Sequence, residues 1–309
     1  MKIDEVRRIL TIGAGTMGHQ IGFLCAVNGY DVVVYDVAPD IFEATHKRLA
    51  QLADRFVKSS HLTAGEKAAI LSRITFTSDA KAAAAEVDIV TESVPEDPKL
   101  KGKVFAEFNR LCPARTVFTT NTSTLVPSMF AEATGRPDRF LAFHFHDILL
   151  TDVVDVMPHP GTSAASVELV CAFAELLHQT VIVLEQENVG YVFNAMLSDL
   201  FKSALALASN GVAAVEDIDR AWMGVLQSPV GPFGMMDKVG LDTVCKISEY
   251  WARATSDAQL AANAAFLKTH IDDGRLGVKS GAGFYTYPAP LFQQPGFLKQ
   301  KARKQKTVR

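Results

Sequence analysis

Apolar residues recur along this chain with two different periods, and the change from one to the other divides it. Up to residue 185, short apolar runs alternate with helical patterns. The runs are Ile9–Ile12, Val32–Tyr35, Ile74–Phe76, Asp88–Val90, Val117–Thr119, Leu141–Phe145, Val153–Met157 and Val181–Leu184. That alternation predicts an α/β fold with a doubly wound, mostly parallel sheet. Between the second and third runs lie two helical segments, one over about Ile41–Val57 and one opening at Thr63, where Thr63-x-x-Glu66 spells a capping box. The pair is longer than a crossover requires and predicts a helical hairpin inserted between strands and projecting from the sheet. After Glu185–Asn188 the period becomes helical. Tyr191–Ser209 is apolar at helical spacing and stops at Asn210-Gly211, a C-cap signal. Val215–Val225, Leu241–Thr255 and Ala258–Thr269 follow as helices, and Gly283–Tyr287 is the one later stretch with strand character. The expected division is a sheet domain over 1–187 and an all-α domain over 188–309.

Composition narrows the class. A chain of 309 residues has room for two domains with ample core, and its 48% hydrophobic and 21% charged content is ordinary for a globular protein. The net charge of -3 gives no general attraction to nucleic acid or to an anionic membrane, and no apolar run is long enough to span a bilayer. Met1–Arg8 mixes both signs of charge and shows no secretory pattern. Cys25, Cys112, Cys171 and Cys245 lack metal-ligand spacing, so no metal is expected. A reducing cytoplasmic location is the expectation from these features. The basic tail Lys299–Arg309 reads as a solvated end.

The first two runs carry a specific arrangement. Ile9–Ile12 enters the loop Gly13-Ala14-Gly15-Thr16-Met17-Gly18, a helical pattern follows, and the second run ends at Asp36. This is the dinucleotide-binding order of strand, glycine turn, helix, strand and acid. Gly13 permits the turn, Gly15 lets backbone approach a pyrophosphate, and Gly18 lets the helix pack close to the strand. The helix N-terminus offers free N–H groups and the positive end of its dipole to phosphate. Asp36 would accept hydrogen bonds from ribose hydroxyls and repel a ribose phosphate, which favours NAD over NADP.

Candidate chemistry sits at other strand ends, where open α/β sheets bind ligands. His144 lies near the end of the sixth run; a lone His is more often structural, but neutral imidazole there can take a hydroxyl proton near working pH. Asp155, on the next run, can fix its tautomer and stabilise the imidazolium, or be an ordinary surface acid. Asn121-Thr-Ser123-Thr-Leu follows the fifth run and can hydrogen-bond a substrate oxygen; Ser123 or Thr124 can equally cap a helix. Glu92 and Lys99 follow the fourth run, where they can face a nicotinamide ribose or line a polar loop. Asn194 lies among apolar residues early in the long helix.

Together these segments resemble the L-3-hydroxyacyl-CoA dehydrogenase family over nearly the full length. The resemblance rests on residues 13–18, Thr-Glu-Ser-Val-Pro-Glu (91–96), Asn-Thr-Ser-Thr-Leu (121–125), Arg-Phe-x-x-x-His-Phe (139–145) and Val-Gly-Tyr-Val-Phe-Asn (189–194). It continues through Glu-Asp-Ile-Asp (216–219), the segment 229–242 and the segment 274–285. The resemblance implies a Rossmann-like domain, a helical domain that makes most of a homodimer interface, and NAD-linked oxidation of an L-3-hydroxyacyl thioester. By position it makes His144 the base, Asp155 its partner, and Ser123 and Asn194 the contacts to substrate oxygen. It makes Asp36 the ribose-binding acid and adds Glu92, Lys99 and Asn121 to the cofactor contacts of Gly13, Gly15, Thr16, Met17 and Gly18.

The chain departs from the family on the substrate side. Where the family usually has His-Phe-Phe-Asn-Pro, this chain has His144-Phe145-His146-Asp147-Ile148, and the acid after it is Asp155 in place of Glu. His146 and Asp147 can remodel a pocket or bond within their loop. The expected activity is therefore 3-hydroxyacyl-CoA oxidation, of a short chain such as 3-hydroxybutyryl-CoA. The same chemistry on a sugar acid or carnitine is the alternative, and a non-catalytic NAD-binding protein stands behind both.

Overall fold

The computed structural model describes residues 1–59 and 62–299, and the basic tail beyond Lys299 lies outside that range. The chain divides into two compact units, Met1–Asn194 and Ala195–Arg309. In the first unit the order is β1 (Arg8–Ile12), α1 (Thr16–Val27), β2 (Asp31–Tyr35), α2 (Ile41–Lys58), α3 (Ala64–Ser72), β3 (Ile74–Thr77), α4 (Ala80–Ala84), β4 (Ile89–Glu92), α5 (Pro98–Leu111), β5 (Val117–Thr120), β6 (Phe140–Phe145), β7 (Val153–Pro158), α6 (Ala164–Leu176) and β8 (Thr180–Val183). The eight strands form one sheet in the order β3-β2-β1-β4-β5-β6-β7-β8. Every neighbouring pair is parallel except β6 with β7.

Strand alternation explains why the runs are apolar throughout. Ile9, Val32, Val34, Ile74, Ile89 and Val117 face one core, with Ile21, Phe23 and Leu24 of α1 and Leu169, Val170 and Phe173 of α6. Leu10, Ile12, Val33, Tyr35, Val90 and Phe118 face a second core, with Phe105 and Phe108 of α5. Helices on both faces demand apolar residues at odd and even positions alike.

The α2–α3 pair is the expected helical insertion, with the Thr63/Glu66 capping box in place. It does not stand clear of the sheet layers. Leu49, Leu52, Ala53 and Ile70 share the core of α1, and the Phe23 and Phe56 rings meet edge-on with centroids 5.1 Å apart. The amphipathic α2 has to bury its apolar face, and α1 supplies the surface.

The second unit is helical: α7 (Phe193–Ser209, which begins at the end of the first unit), α8 (Val215–Leu226), α9 (Pro232–Val239), α10 (Leu241–Thr255) and α11 (Ala258–Asp272). Gly283–Tyr287 is not a strand. Only isolated bridges link Gly277 with Ala282 and Ala282 with Thr286. The backbone donors of Phe284 and Tyr285 go instead to the Asp237 carboxylate, at 2.8 and 2.9 Å, and Tyr287 Oη donates to it as well at 3.0 Å. A side-chain acceptor thus replaces the partner strand that the alternation implied. Asp219 plays a matching part, accepting from Phe233 N, Gly234 N and Tyr285 Oη. No helix among the described residues is long and apolar enough to cross a membrane, and all four cysteines are free.

Candidate active site

The loop after β1 is built as its glycines require. Gly13 has φ +102°, a left-handed conformation, and a Cβ there would lie 2.8 Å from Ser93 O. A Cβ on Gly18 would lie 1.8 Å from Gly13 O, so the first turn of α1 touches the strand exit directly. Gly15, which immediately precedes α1, is different: a Cβ there would meet no protein atom within 4 Å. Asp36 stands at the end of β2 and accepts from Ala14 N at 2.8 Å and Ala38 N at 3.1 Å. Thr16 is exposed and Met17 half-buried at the start of α1.

The antiparallel step in the sheet organises the second group. His144 on β6 is the direct register partner of Asp155 on β7. Phe143, Phe145, Val154 and Val156 turn to the core shared with α1 and α6, so His144 and Asp155 turn together to the other face. His144 Nδ1 is 3.0 Å from Asp155 Oδ2, and both side chains are buried. The Tyr191 ring stacks on His144 at 4.7 Å, and its hydroxyl donates to Thr122 O at 2.6 Å. His146, two residues beyond His144, brings its Nε2 to 3.2 Å from the same Asp155 oxygen. The ligand-type atoms of His144, His146 and Asp155 lie within 4.8 Å of one another. Burial raises the Asp155 carboxyl pKa, but the hydrogen bonds from the two imidazoles outweigh it and hold the group at about 2. Asp147, the other unusual residue, bonds within its loop: its Oδ1 accepts from Leu149 N at 3.0 Å.

A third group surrounds the end of β4. Glu92 points inward. Its carboxylate accepts from Lys101 Nζ at 2.7 Å, Thr120 Oγ1 at 2.7 Å and Val94 N at 2.6 Å, with the lysine ammonium equally buried. Burial pushes the Glu92 carboxyl pKa up, against the ammonium and the other donors. Lys101 also lies 3.3 Å from Glu96, whose carboxylate accepts from Thr122 Oγ1, Ser123 N and Ser123 Oγ. The Asp97 carboxylate caps α5, with Pro98 in its first turn, so Lys99 and Lys101 sit roughly 200° apart around the helix. Lys99 therefore points to solvent while Lys101 points to Glu92. Asn121 Oδ1 accepts from Phe145 N at 2.7 Å and ties the ends of β5 and β6 together. Neither Ser123 nor Thr124 caps a helix. The local turn is held by Thr122, whose Oγ1 accepts from Leu125 N at 3.0 Å. Asn194 lies half-buried in the first turn of α7, and its side-chain amide has no hydrogen-bond partner among the described residues.

Two family models match the chain. The 3-hydroxyacyl-CoA dehydrogenase NAD binding domain covers residues 8–188, and the 3-hydroxyacyl-CoA dehydrogenase C-terminal domain covers 190–287. The chain belongs to the 3-hydroxyacyl-CoA dehydrogenase family. It is an oxidoreductase of that family with NAD as cofactor. A 3-hydroxybutyryl-CoA dehydrogenase of Mycobacterium tuberculosis (strain ATCC 25618 / H37Rv) is 32% identical over 289 residues, covering 92% of this chain and 99% of that relative. Among solved structures, the (S)-3-hydroxybutyryl-CoA dehydrogenase PaaH1 of Ralstonia eutropha superposes with a TM-score of 0.83 at 29% identity, covering 92% of this chain and all of that one. A diketoreductase described as acting on dicarbonyl compounds gives 0.85 at 35% identity, covering 91% and 99%.

The residues fit the family's cofactor. The open space at Gly15, the N-terminus of α1 and the Asp36 carboxylate stand together at the carboxyl ends of β1 and β2, beside the point where the sheet order reverses. Sequence reasoning missed three contributors. Glu96 was one more acid in the polar loop after the fourth run, and nothing in the pattern singled out Lys101. Tyr191 read as one apolar position among several, and only its φ of +57° and its place over His144 distinguish it.

Proposed function

We propose that this enzyme oxidises the 3-hydroxyl of a short L-3-hydroxyacyl-CoA, such as 3-hydroxybutyryl-CoA, to the 3-ketoacyl thioester. The buried His144–Asp155 pair carries this reading. Asp155 accepts from Nδ1–H, which leaves a lone pair on Nε2, and Nε2 has no partner among the described residues. His144 then acts as general base: the hydroxyl proton passes to Nε2 as the C3–H electron pair leaves and the C3–O double bond forms. Bound NAD supplies the hydride acceptor. The resulting imidazolium is stabilised by the Asp155 carboxylate, and the Tyr191 ring restrains the imidazole plane. The Ser123 hydroxyl and the unpartnered Asn194 amide are the groups assigned to hold the substrate oxygen.

Replacing His144 by Ala tests the assignment. Turnover is expected to fall ~100-fold or more while NAD binding, followed by calorimetry, is retained. Near-normal turnover would remove His144 as base. A second reading keeps the chemistry on a substrate that is not a thioester. It is supported by the altered loop at His146-Asp147 and by the likeness to the diketoreductase. Steady-state rates on 3-hydroxybutyryl-CoA, longer acyl-CoAs, gulonate and carnitine separate the two.

The assembly proposed is a homodimer through the helical unit. Met196 on α7, Val225 and Leu226 on α8 and Tyr250 on α10 are large apolar residues left exposed. Light scattering that returns a monomer mass at micromolar concentration would overturn this.

A further inference from the structure

We propose that His146 is a positioning residue for the reaction, holding the short Asp155 carboxylate in place beneath His144. The inference rests on His144 being the base. A single hydrogen bond would leave the Asp155 carboxylate free to turn about its Cβ–Cγ bond, and Asp reaches one methylene less far than the Glu usual in the family. His146 Nε2, at 3.2 Å from Oδ2, supplies a second N–H to the oxygen that His144 Nδ1 uses at 3.0 Å. Two donors from different directions fix the carboxylate plane and with it the His144 tautomer. Asp155 Oδ1 has no partner among the described residues, so the two imidazoles are the carboxylate's whole side-chain support.

His146 is itself held. Being two residues beyond His144, it presents its side chain to the same face. Its ring meets His144 edge-on at 4.6 Å and Phe193 edge-on at 5.7 Å. In a neutral His146 ring, donation from Nε2 leaves Nδ1 as acceptor, and the negative charge of Asp155 is left to the imidazolium that forms at His144. The other ionisable groups whose charge reaches Tyr191, the ring stacked on His144, are Glu96, Glu92 and Glu187. None of them donates to Asp155.

The test uses the full-length enzyme with NAD and 3-hydroxybutyryl-CoA, and compares His146→Phe, His146→Gln and Asp155→Glu/His146→Phe. His146→Phe, the residue usual in the family, is expected to lower kcat about tenfold, the size of one charge-assisted hydrogen bond, with KM for NAD unchanged and the acid limb of the pH profile moved. His146→Gln keeps an N–H donor and is expected to restore most of kcat. The double variant lengthens the acid and is expected to exceed His146→Phe alone. If His146→Phe does not fold, His146→Ala carries the same comparison. Wild-type kcat and pH profile in the folded His146→Phe or His146→Ala enzyme, with His144→Ala inactive, overturns the proposal and leaves the base assignment standing. Activity in His144→Ala overturns the base assignment instead.

Discussion

His144 and Asp155 stand directly opposite each other across the one antiparallel step of the sheet, with 3.0 Å between Nδ1 and Oδ2. Direct cross-strand partners are held by two backbones, so the distance between imidazole and carboxylate is set by the ladder itself. A loop-borne acid would need its loop ordered first.

That relationship predicts how the acid responds to substitution. Asp155→Asn presents an amide where Nδ1–H needs an acceptor of full negative charge. We expect kcat to fall roughly 100-fold or more, with NAD affinity unchanged. Asp155→Glu keeps the charge and should retain more activity than Asp155→Asn. Equal rates in the two variants would show that charge at this position is irrelevant.

The glycine loop separates stability from cofactor binding. Gly18→Ala would force a Cβ to within 1.8 Å of Gly13 O, so we expect loss of folded enzyme or a markedly lower Tm. Gly15→Ala meets no protein atom within 4 Å, and Gly15 has φ −69°, which alanine adopts freely. Its Tm should match wild type while Kd for NAD rises about tenfold or more, because the methyl occupies the approach to the helix N-terminus. Unchanged NAD affinity in that variant would place the pyrophosphate elsewhere.

Lys101 and Glu92 form an ion pair in which both side chains are at most 1% exposed. Lys101→Met strands a buried carboxylate and should cost about 3–5 kcal/mol by urea unfolding. Lys101→Met/Glu92→Gln removes both charges and should be less destabilised than Lys101→Met alone. The Ser123 loop, tied to Lys101 through Glu96, should loosen in the single variant, visible as faster amide exchange at Ser123.

Burial lifts the Asp219 carboxyl from 3.8 to about 6, against its three hydrogen bonds, and Asp237 is raised by burial too. A raised carboxyl contributes stability that is complete below pH 3.8 and is lost as pH rises through about 6. For Asp219 the span corresponds to about 3 kcal/mol. Asp155 runs the other way: its contribution is present above its ordinary range and lost only as pH falls through about 2. Between pH 4 and 6 the wild-type protein should therefore lose stability relative to Asp219→Asn. An equal slope of Tm against pH in both proteins would contradict this.

The chain's own pattern determined its elements and its glycine loop. All eight strands lie where apolar runs stand, because a doubly covered parallel sheet requires apolar residues on both faces. Gly13 and Gly18 were legible because a positive φ and a close helix–strand approach admit only glycine, and Asp36 by its place at the end of β2. Tertiary structure decided what the polar residues do, because their partners come from distant segments. Lys101 and Lys99 cannot be told apart in a string, yet helix rotation buries one and exposes the other. Gly283–Tyr287 has strand character, yet its donors end on Asp237. His146 looked as ready to serve its loop as Asp147, until the register of β6 on β7 brought Asp155 within its reach.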